Sequence, residues 1–289
     1  MRNLVIGCIL LALFCLRPDR ADAANFAIQK VADGVYAAIA LPKGKAASNA
    51  MIVVTNYEVI LAGAHFVPET IRELLGEIAR ITPLPLRHVI LTHHHRGFNY
   101  VDFDLPANVE IITSGETYQA LKSELREMRN PVILFDSSLT MERDNVSLVL
   151  SNAGDSHSEG DVFVYLPKKG ILFTSDLFFN GAVGYMGDGN MRNWILTLEL
   201  LERLNAPVVI PGIGTVTDTD GIHTFLVFFR DFMTEVLRNV EKGNNLAQTK
   251  KQFSLPQYKN LPGYKTFFEV NVERAYKELK SGQAAPVGH

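Results

Sequence analysis

The chain has 289 residues, of which 47% are hydrophobic and 20% are charged, and its formal net charge is −3. This length suits one large domain or two small ones, and the apolar share is sufficient for a buried core. With so small a net charge and no Lys/Arg-rich stretch, the sequence excludes a basic field for nucleic acid or an anionic membrane. The composition favours a small-molecule substrate as partner and carries no sign of an oligomeric state.

The first residues are typical of an export signal. Arg2 supplies a positive charge, Leu4 to Leu16 is apolar, and Ala21-Asp22-Ala23 has the small residues of a cleavage site. The apolar run is shorter than the ~20 residues of a membrane span. The sequence therefore predicts a signal peptide over residues 1–23 and a periplasmic or secreted protein without a membrane anchor. An uncleaved anchor is the alternative.

Both cysteines of the chain fall inside this predicted signal. They are Cys8 and Cys15, so a mature chain that begins near Ala24 contains no cysteine. Export normally permits disulfides, but this protein would have none. A metal site would then depend on His, Asp, Glu or backbone oxygen, because thiolate ligands are absent.

Beyond the signal, strand patterns alternate with helix patterns in an order typical of sheets covered by helices. Strand-like segments occupy Phe26–Ala40, Ala50–Ala62, Leu86–Thr92, Val109–Thr113, Val146–Leu150, Val162–Leu166, Ile171–Thr174 and Val208–Ile210. Amphipathic segments occupy Pro68–Ile81, Thr117–Met128, Asn193–Leu204, Thr219–Lys242 and Thr266–Lys280. The pattern predicts an α/β domain over residues 24–242, with a helical tail over residues 243–289 packed on it.

The densest group of unusual residues is Thr92-His93-His94-His95, directly after a predicted strand. Side chains alternate in extended backbone, so His93 and His95 project to one side and His94 to the other. Two imidazoles placed in this way can chelate one ion at about 2.0–2.1 Å each. The alternative is a solvated histidine loop.

Two later segments add residues that can ligate a metal. His157 lies in Ser156-His157-Ser158-Glu159-Gly160-Asp161, and Asp176 follows the strand Leu172-Phe173-Thr174. With the histidine pair, their order along the chain resembles the metallo-β-lactamase superfamily from about Phe26 to Asp218. That family has a His-x-His-x-Asp-His loop, a later His before Gly-Asp, an Asp after a Leu-Phe-Thr-like strand, and a last His in Pro-Gly-His-Gly.

The resemblance implies a four-layer αββα sandwich of two mixed β-sheets flanked by helices, followed by the C-terminal helical tail. It also implies that His93, His95 and His157 are the histidines of the family's first metal site. Asp176 matches the carboxylate that bridges two metals there, so it is expected as a metal ligand and as the catalytic residue.

The second metal site of the family is missing from this sequence. Gly97 and Phe98 stand where the family has Asp and His, and Ile213 replaces the final His. Gly63 follows the strand where an acidic residue is usual. The resemblance therefore implies one divalent metal, zinc by its ligands, with iron as an alternative.

The missing loop Asp helps to orient the attacking water in the family, and another carboxylate could replace it here. The candidates in neighbouring loops, each of which could equally be a solvated loop carboxylate, are Asp102, Asp104, Asp155 and Glu159. The stretch Gly181–Asn190 is predicted to be a flexible loop that offers Tyr185 and Met186 to the substrate mouth, or a plain connection.

Three functions remain open from the sequence. The first is a mononuclear zinc hydrolase acting on an ester, thioester or lactone. The second is redox chemistry at a single iron, as in the sulfur dioxygenases of this superfamily, although their motif keeps the loop Asp and His that are absent here. The third is a catalytically inactive binding protein of the same fold, which the lost second site favours.

Overall fold

A computed structural model of the protein describes residues 24–64, 67–95, 103–126 and 128–284, with side chains up to residue 281. The predicted signal peptide lies outside the described residues. The strands are β1 Phe26–Ala32, β2 Val35–Ala40, β3 Ala50–Val54, β4 Val59–Gly63, β5 Leu86–Leu91, β6 Glu110–Ser114, β7 Val132–Phe135, β8 Ser138–Arg143, β9 Val146–Asn152, β10 Val162–Leu166, β11 Ile171–Phe179 and β12 Val208–Ile213. The helices are α1 Pro68–Ile81, α2 Gly115–Ser123, α3 Met191–Arg203, α4 Thr219–Glu241, α5 Leu246–Gln252 and α6 Tyr264–Ala284.

Within the described residues these strands form two mixed sheets. The first contains β1 to β7 in sequence order, antiparallel from β1 to β4 and parallel from β4 to β7. The second has the order β12-β11-β10-β9-β8 and is antiparallel except for the β11–β12 pair. The predicted pair of mixed sheets is confirmed.

Three apolar layers hold the sheets and helices together. Between the sheets, Ile60 and Ile90 of the first sheet pack with Leu148 and Val164 of the second. This produces the dry interface of two facing sheets, about 10 Å apart. On the outer face of the first sheet, one stripe of α1, which includes Leu74, is buried.

The outer face of the second sheet is covered by α3, α4 and the C-terminal tail. Trp194 of α3, Phe229 of α4 and Val272 of α6 are fully or almost fully buried in one cluster with Phe178 of β11. The four-layer αββα order is therefore confirmed, and the C-terminal helix is part of its last layer. None of the helices among the described residues is long and apolar enough to cross a membrane.

Helix α2 is shorter than its sequence predicts. It begins at Gly115, where the Ser114 hydroxyl accepts a hydrogen bond from the Thr117 amide, and it ends at Ser123 instead of Met128. Leu125 has a φ of 59°, a left-handed conformation that cannot continue a helix. The prediction of a helix up to Met128 was wrong because the spacing of apolar residues does not show where a single residue adopts a left-handed φ.

Candidate metal centre

Three buried histidines meet at one end of the two sheets. His93 and His95 follow the end of β5, and His157 lies in the connection from β9 to β10. One ring nitrogen or more of each lies within 4.8 Å of the others. The exposed fractions of these residues are 1%, 4% and 2%. The structure therefore brings together the three histidines that the sequence selects, in a cluster that could hold a metal ion.

The orientation of His93 is fixed by hydroxyl groups behind it. Its Nδ1 lies 3.1 Å from Thr92 Oγ1, which lies 2.7 Å from Ser175 Oγ. If Nδ1 carries the proton, it donates to Thr92, and Nε2 is then the ring nitrogen that can act as a metal ligand. That Nε2 faces Asp176, with Oδ2 at 3.7 Å. The hydroxyls thus hold the His93 ring in an orientation that turns Nε2 toward Asp176.

Asp176 reaches the histidines because β11 is irregular at this point. Ser175 has a φ of 48°, in the left-handed region, and the pairing of β11 with β12 shifts register on both sides of it. A bulge of this kind changes the direction of a side chain. The neighbouring Gly212 of β12 is required here, since a Cβ would clash with Asp176 Oδ1 and with the Ser175 carbonyl oxygen.

The loop that carries His157 is held by a buried carboxylate. Asp161 accepts hydrogen bonds of 2.7 Å from the Ser158 amide and from the Ser158 hydroxyl. Its Oδ1 lies 3.6 Å from His157 Nδ1. The amide of Val162 donates to the carbonyl of Thr92 at 2.8 Å, which ties this loop to the strand that carries the other two histidines.

His157 is surrounded by rings. Its centroid lies 4.2 Å from that of His95, 5.2 Å from Trp194 and 6.1 Å from Phe179, with the planes steeply inclined in each pair. Burial, followed by repulsion from His95 and His94, holds the pKa of His157 well below its usual value. The imidazole is therefore neutral at pH 7, which is the state that binds metals.

Burial shifts the pKa values of the two buried carboxylates upward, opposite to the shift of His157. Burial raises the pKa of Asp176 to about 7 and the pKa of Asp161 to about 6, where hydrogen bonds from Ser158 oppose the shift. Among the described residues, Asp176 Oδ1 and His157 Nδ1 are buried and accept or donate no hydrogen bond. A bound cation would supply the missing interaction of the Asp176 carboxylate, and the three clustered imidazoles are suitable donors, so the donor set fits a metal ion.

An open cavity of about 680 Å³ lies above this cluster. It is lined by Ala47, His94, His95, Glu124, His157, Glu159, Asp176, Phe179, Tyr185, Asp188, Ile213 and Phe267. Ile213 therefore stands at the position where the sequence predicts the loss of a metal-binding histidine. Phe267 belongs to α6, so the C-terminal tail contributes to the wall of the cavity.

The smaller predictions around the site have mixed outcomes. Tyr185 lines the cavity, but Met186 is completely buried and does not, so its predicted place at the mouth was wrong. Of the candidate carboxylates, Glu159 lines the cavity, whereas Asp155 is exposed outside its lining and Asp104 pairs with Arg129. Gly97, Phe98 and Asp102 lie outside the described residues.

Sequence reasoning missed Asp188. Its Oδ2 lies 3.4 Å from His95 Nε2, and its side chain is 56% exposed toward the cavity. A hydrogen bond from His95, opposed by partial burial, lowers the pKa of Asp188 to about 2. The sequence signal was weak: a carboxylate between Gly187 and Gly189, which is an ordinary loop pattern.

Comparison with known proteins supports the same fold. The sequence profile of the metallo-beta-lactamase superfamily matches residues 113–213, which include His157 and Asp176 but not His93 or His95. A metallo-beta-lactamase from Pontibacter korlensis is 23% identical, with a TM-score of 0.60, over 71% of this chain and 99% of its own. A crystal structure of VMB-1 is 24% identical, with a TM-score of 0.61, over 72% and 98% of the two chains. Together with the two sheets and their helical layers, these similarities show that the chain has the fold of the metallo-β-lactamase superfamily.

Proposed function

We propose that the protein is a metal-dependent hydrolase with one divalent ion, zinc by the chemistry of its ligands, held by His93, His95, His157 and Asp176. The single observation that carries this proposal is the cluster of three buried imidazoles with ligand atoms within 4.8 Å, two of which, His95 and His157, line an open cavity. Imidazole and carboxylate ligands suit zinc, and the alternative iron would use the same donors. The buried carboxylate beside His93 favours a cation, since burial without one raises the pKa of Asp176 to about 7 and leaves its Oδ1 without a hydrogen bond.

Zinc at this position would polarise a substrate carbonyl and lower the pKa of a coordinated water. The chain's own residues prepare the site for that chemistry. Thr92 holds the His93 ring through Nδ1, and Asp161 holds the loop that presents His157. In this proposal Asp176, which lines the cavity, would accept a proton from a water molecule there. This arrangement supports hydrolysis of an acyl-type bond: an ester, a thioester or a lactone.

The cavity also indicates which substrates fit. Four of its lining residues are carboxylates, Asp176, Asp188, Glu124 and Glu159, and none of the described lining residues is Lys or Arg. Phe179, Phe267 and Ile213 add apolar walls. Such a lining disfavours anionic groups near the site and favours a neutral or cationic acyl substrate with an apolar part.

Metal analysis tests the proposal directly. The mature protein, purified without chelators, is expected to contain about one equivalent of zinc and to melt at a lower temperature after chelation. It is also expected to hydrolyse some member of a panel of neutral esters, thioesters and lactones. Protein that neither binds zinc nor gains stability from it would refute the proposal. Purified protein that contains iron and consumes oxygen would instead support redox chemistry at this site.

A double histidine variant distinguishes a catalytic protein from an inactive protein of the same fold. Replacing His93 and His157 by Ala is expected to abolish metal binding and hydrolysis together. The matched control is His223→Ala, because the His223 side chain is 58% exposed and pairs with Glu202 on the far helical layer. Activity that survives in the double variant would contradict the assignment.

We also propose that the protein is exported, with residues 1–23 removed. The support is the charged start, the apolar run and the small residues at the predicted cleavage site. Determination of the N-terminus of protein recovered from culture medium or periplasm is expected to give Ala24. An intact N-terminus in the membrane fraction would favour the anchor instead.

A further inference from the structure

A second carboxylate faces the histidine cluster from the cavity side. Asp188 Oδ2 lies 3.4 Å from His95 Nε2, while Asp176 Oδ2 lies 3.7 Å from His93 Nε2. The two carboxylates therefore approach two different imidazoles of the same cluster. Asp176 comes from β11 and is buried, whereas Asp188 comes from the segment before α3 and is more than half exposed.

The distance between Asp188 and His95 is the distance expected between two ligands of one ion. Two ligand atoms of a tetrahedral zinc ion, each bound at about 2.0–2.1 Å, lie about 3.3 Å apart. An ion pair without metal can have the same separation, but His95 belongs to the trio whose ligand atoms lie within 4.8 Å. A cation bound by that trio would have the carboxylate of Asp188 within reach.

The segment that carries Asp188 is held in place by the C-terminal helix. Asn271 of α6 accepts a hydrogen bond of 2.8 Å from the Met186 amide and donates one of 2.9 Å to the Gly184 carbonyl. The guanidinium of Arg274 donates to the carbonyl of Gly189. These contacts fix the backbone on both sides of Asp188. A functional carboxylate needs such support from surrounding residues.

The other flank of the segment is anchored to the His157 loop. The Asn190 amide donates to the Ser156 carbonyl at 2.8 Å. A Cβ on Gly189 would lie 2.5 Å from the same carbonyl oxygen, so the two loops touch through backbone atoms. Asp188 is thus fixed relative to one of the three histidines by direct loop-to-loop contact.

We propose that Asp188 is an additional ligand of the metal site, supplied by the segment before α3 in place of the carboxylate missing from the histidine loop. This inference rests on the proposed single-metal site and adds a donor to it. Asp188, beside His95, and Asp176, beside His93, would then both hold the ion. The C-terminal tail acts in this arrangement as a positioning element for Asp188.

Metal affinity of Asp188→Asn tests this assignment without relying on activity. Zinc affinity is measured by competition with a chromophoric chelator, and the visible spectrum of the cobalt-substituted protein reports the coordination. Asp188→Asn is expected to lower the affinity at least tenfold and to change the cobalt spectrum. Asp188→Glu, which retains the charge, is expected to lie between the wild type and Asp188→Asn. The melting temperature of the metal-free variants confirms that they are folded.

Two controls separate a ligand from general charge effects. Glu159→Gln removes a carboxylate of the same cavity wall, and Asp155→Asn removes an exposed one in the same loop as His157; both should retain the wild-type spectrum. If Asp188→Asn binds zinc as the wild type does, with an unchanged cobalt spectrum, Asp188 is only the ion-pair partner of His95. If the wild type binds no metal, the proposed function fails as well.

Discussion

The floor and the wall of the cavity are built in different ways. The floor consists of His93, His95, His157 and Asp176, all of which are buried. The histidines follow a strand end or lie in the loop between two strands, whereas Asp176 lies beside the irregularity within β11. The wall consists of the segment that contains Tyr185 and Asp188, together with Phe267 of the tail. Its position depends on contacts between residues about 85 positions apart, such as that between Asn271 and the Met186 amide.

This difference in construction separates the origin of metal binding from the origin of affinity and selectivity. The floor lies at the edge of the fold, where neighbouring strands end together and side chains converge, and it contains the residues proposed to bind the metal. The wall is positioned by packing of the C-terminal tail, and it contributes the additional groups proposed to face the metal and the substrate. Changes in the floor should therefore remove metal binding, whereas changes in the wall should weaken metal affinity or alter selectivity.

The largest effect is expected from Gly212→Ala in the floor. The new methyl group would meet Asp176 Oδ1 and the backbone carbonyl of Ser175, which cannot move aside cheaply. Overpacking of this kind costs about 3 kcal/mol, and here it also displaces a predicted ligand. Thermal unfolding and metal analysis are expected to show both losses. Gly76→Ala is the control: nothing lies within 4 Å of its Cβ, and it should be neutral or slightly stabilising.

The second largest effect is expected from Asn271→Ala, which removes two hydrogen bonds between α6 and the wall segment. The variant leaves the Met186 amide and the Gly184 carbonyl without their partner inside the protein. Each unsatisfied buried group costs roughly 1–3 kcal/mol, so we expect a loss of about 2 kcal/mol with weaker metal retention. Asn260→Ala, at an exposed position, should change neither quantity. Equal melting temperatures for the two variants would show that the tail does not support the wall.

The third prediction uses the pH dependence of the metal-free protein. The pKa of Asp176 is raised from 3.8 to about 7, so the folded state binds more protons than the unfolded state between these values. Stability should therefore fall as the pH rises from about 4 to about 7. Asp176→Asn removes this penalty and should stabilise the chelated protein at pH 8 by about 2 kcal/mol, with little effect at pH 4. Chemical denaturation at the two pH values measures the difference.

In zinc-loaded protein the same substitution should act in the opposite direction. The cation compensates the carboxylate of Asp176, and the amide of Asn is a weaker ligand. The variant would then be more stable than the wild type without metal and less stable with it. A variant that loses stability in both states would show that Asp176 is only a structural residue.

The sequence predicts the floor far better than the wall. The first helix is confirmed from Pro68 to Ile81, with proline at its start and one apolar face. The strand before His93 is confirmed to Leu91, so alternation places the two histidines correctly. These features depend on local spacing, which a single sequence records.

The features that sequence reasoning missed depend on tertiary contacts. β7 is a short edge strand whose residue Leu134 is exposed, so it lacks the alternation that marks a strand. The left-handed Leu125 ends α2 without a glycine to signal it. Asp188 reaches the histidine cluster only because α6 packs against the segment before α3. No local sequence pattern predicts that contact.

The smallest effect is expected from the charge of the cavity lining. Glu159 lines the cavity and is exposed, so Glu159→Gln should leave metal binding intact while it weakens the repulsion of an anionic substrate. Exposed charges are screened by salt, and the expected gain in kcat/KM for an anionic ester over a matched neutral one is about two- to fivefold. The gain should shrink at high ionic strength, and Asp155→Asn, outside the lining, should not produce it. A change in metal affinity instead would place Glu159 in the floor, and the division between floor and wall would have to be redrawn.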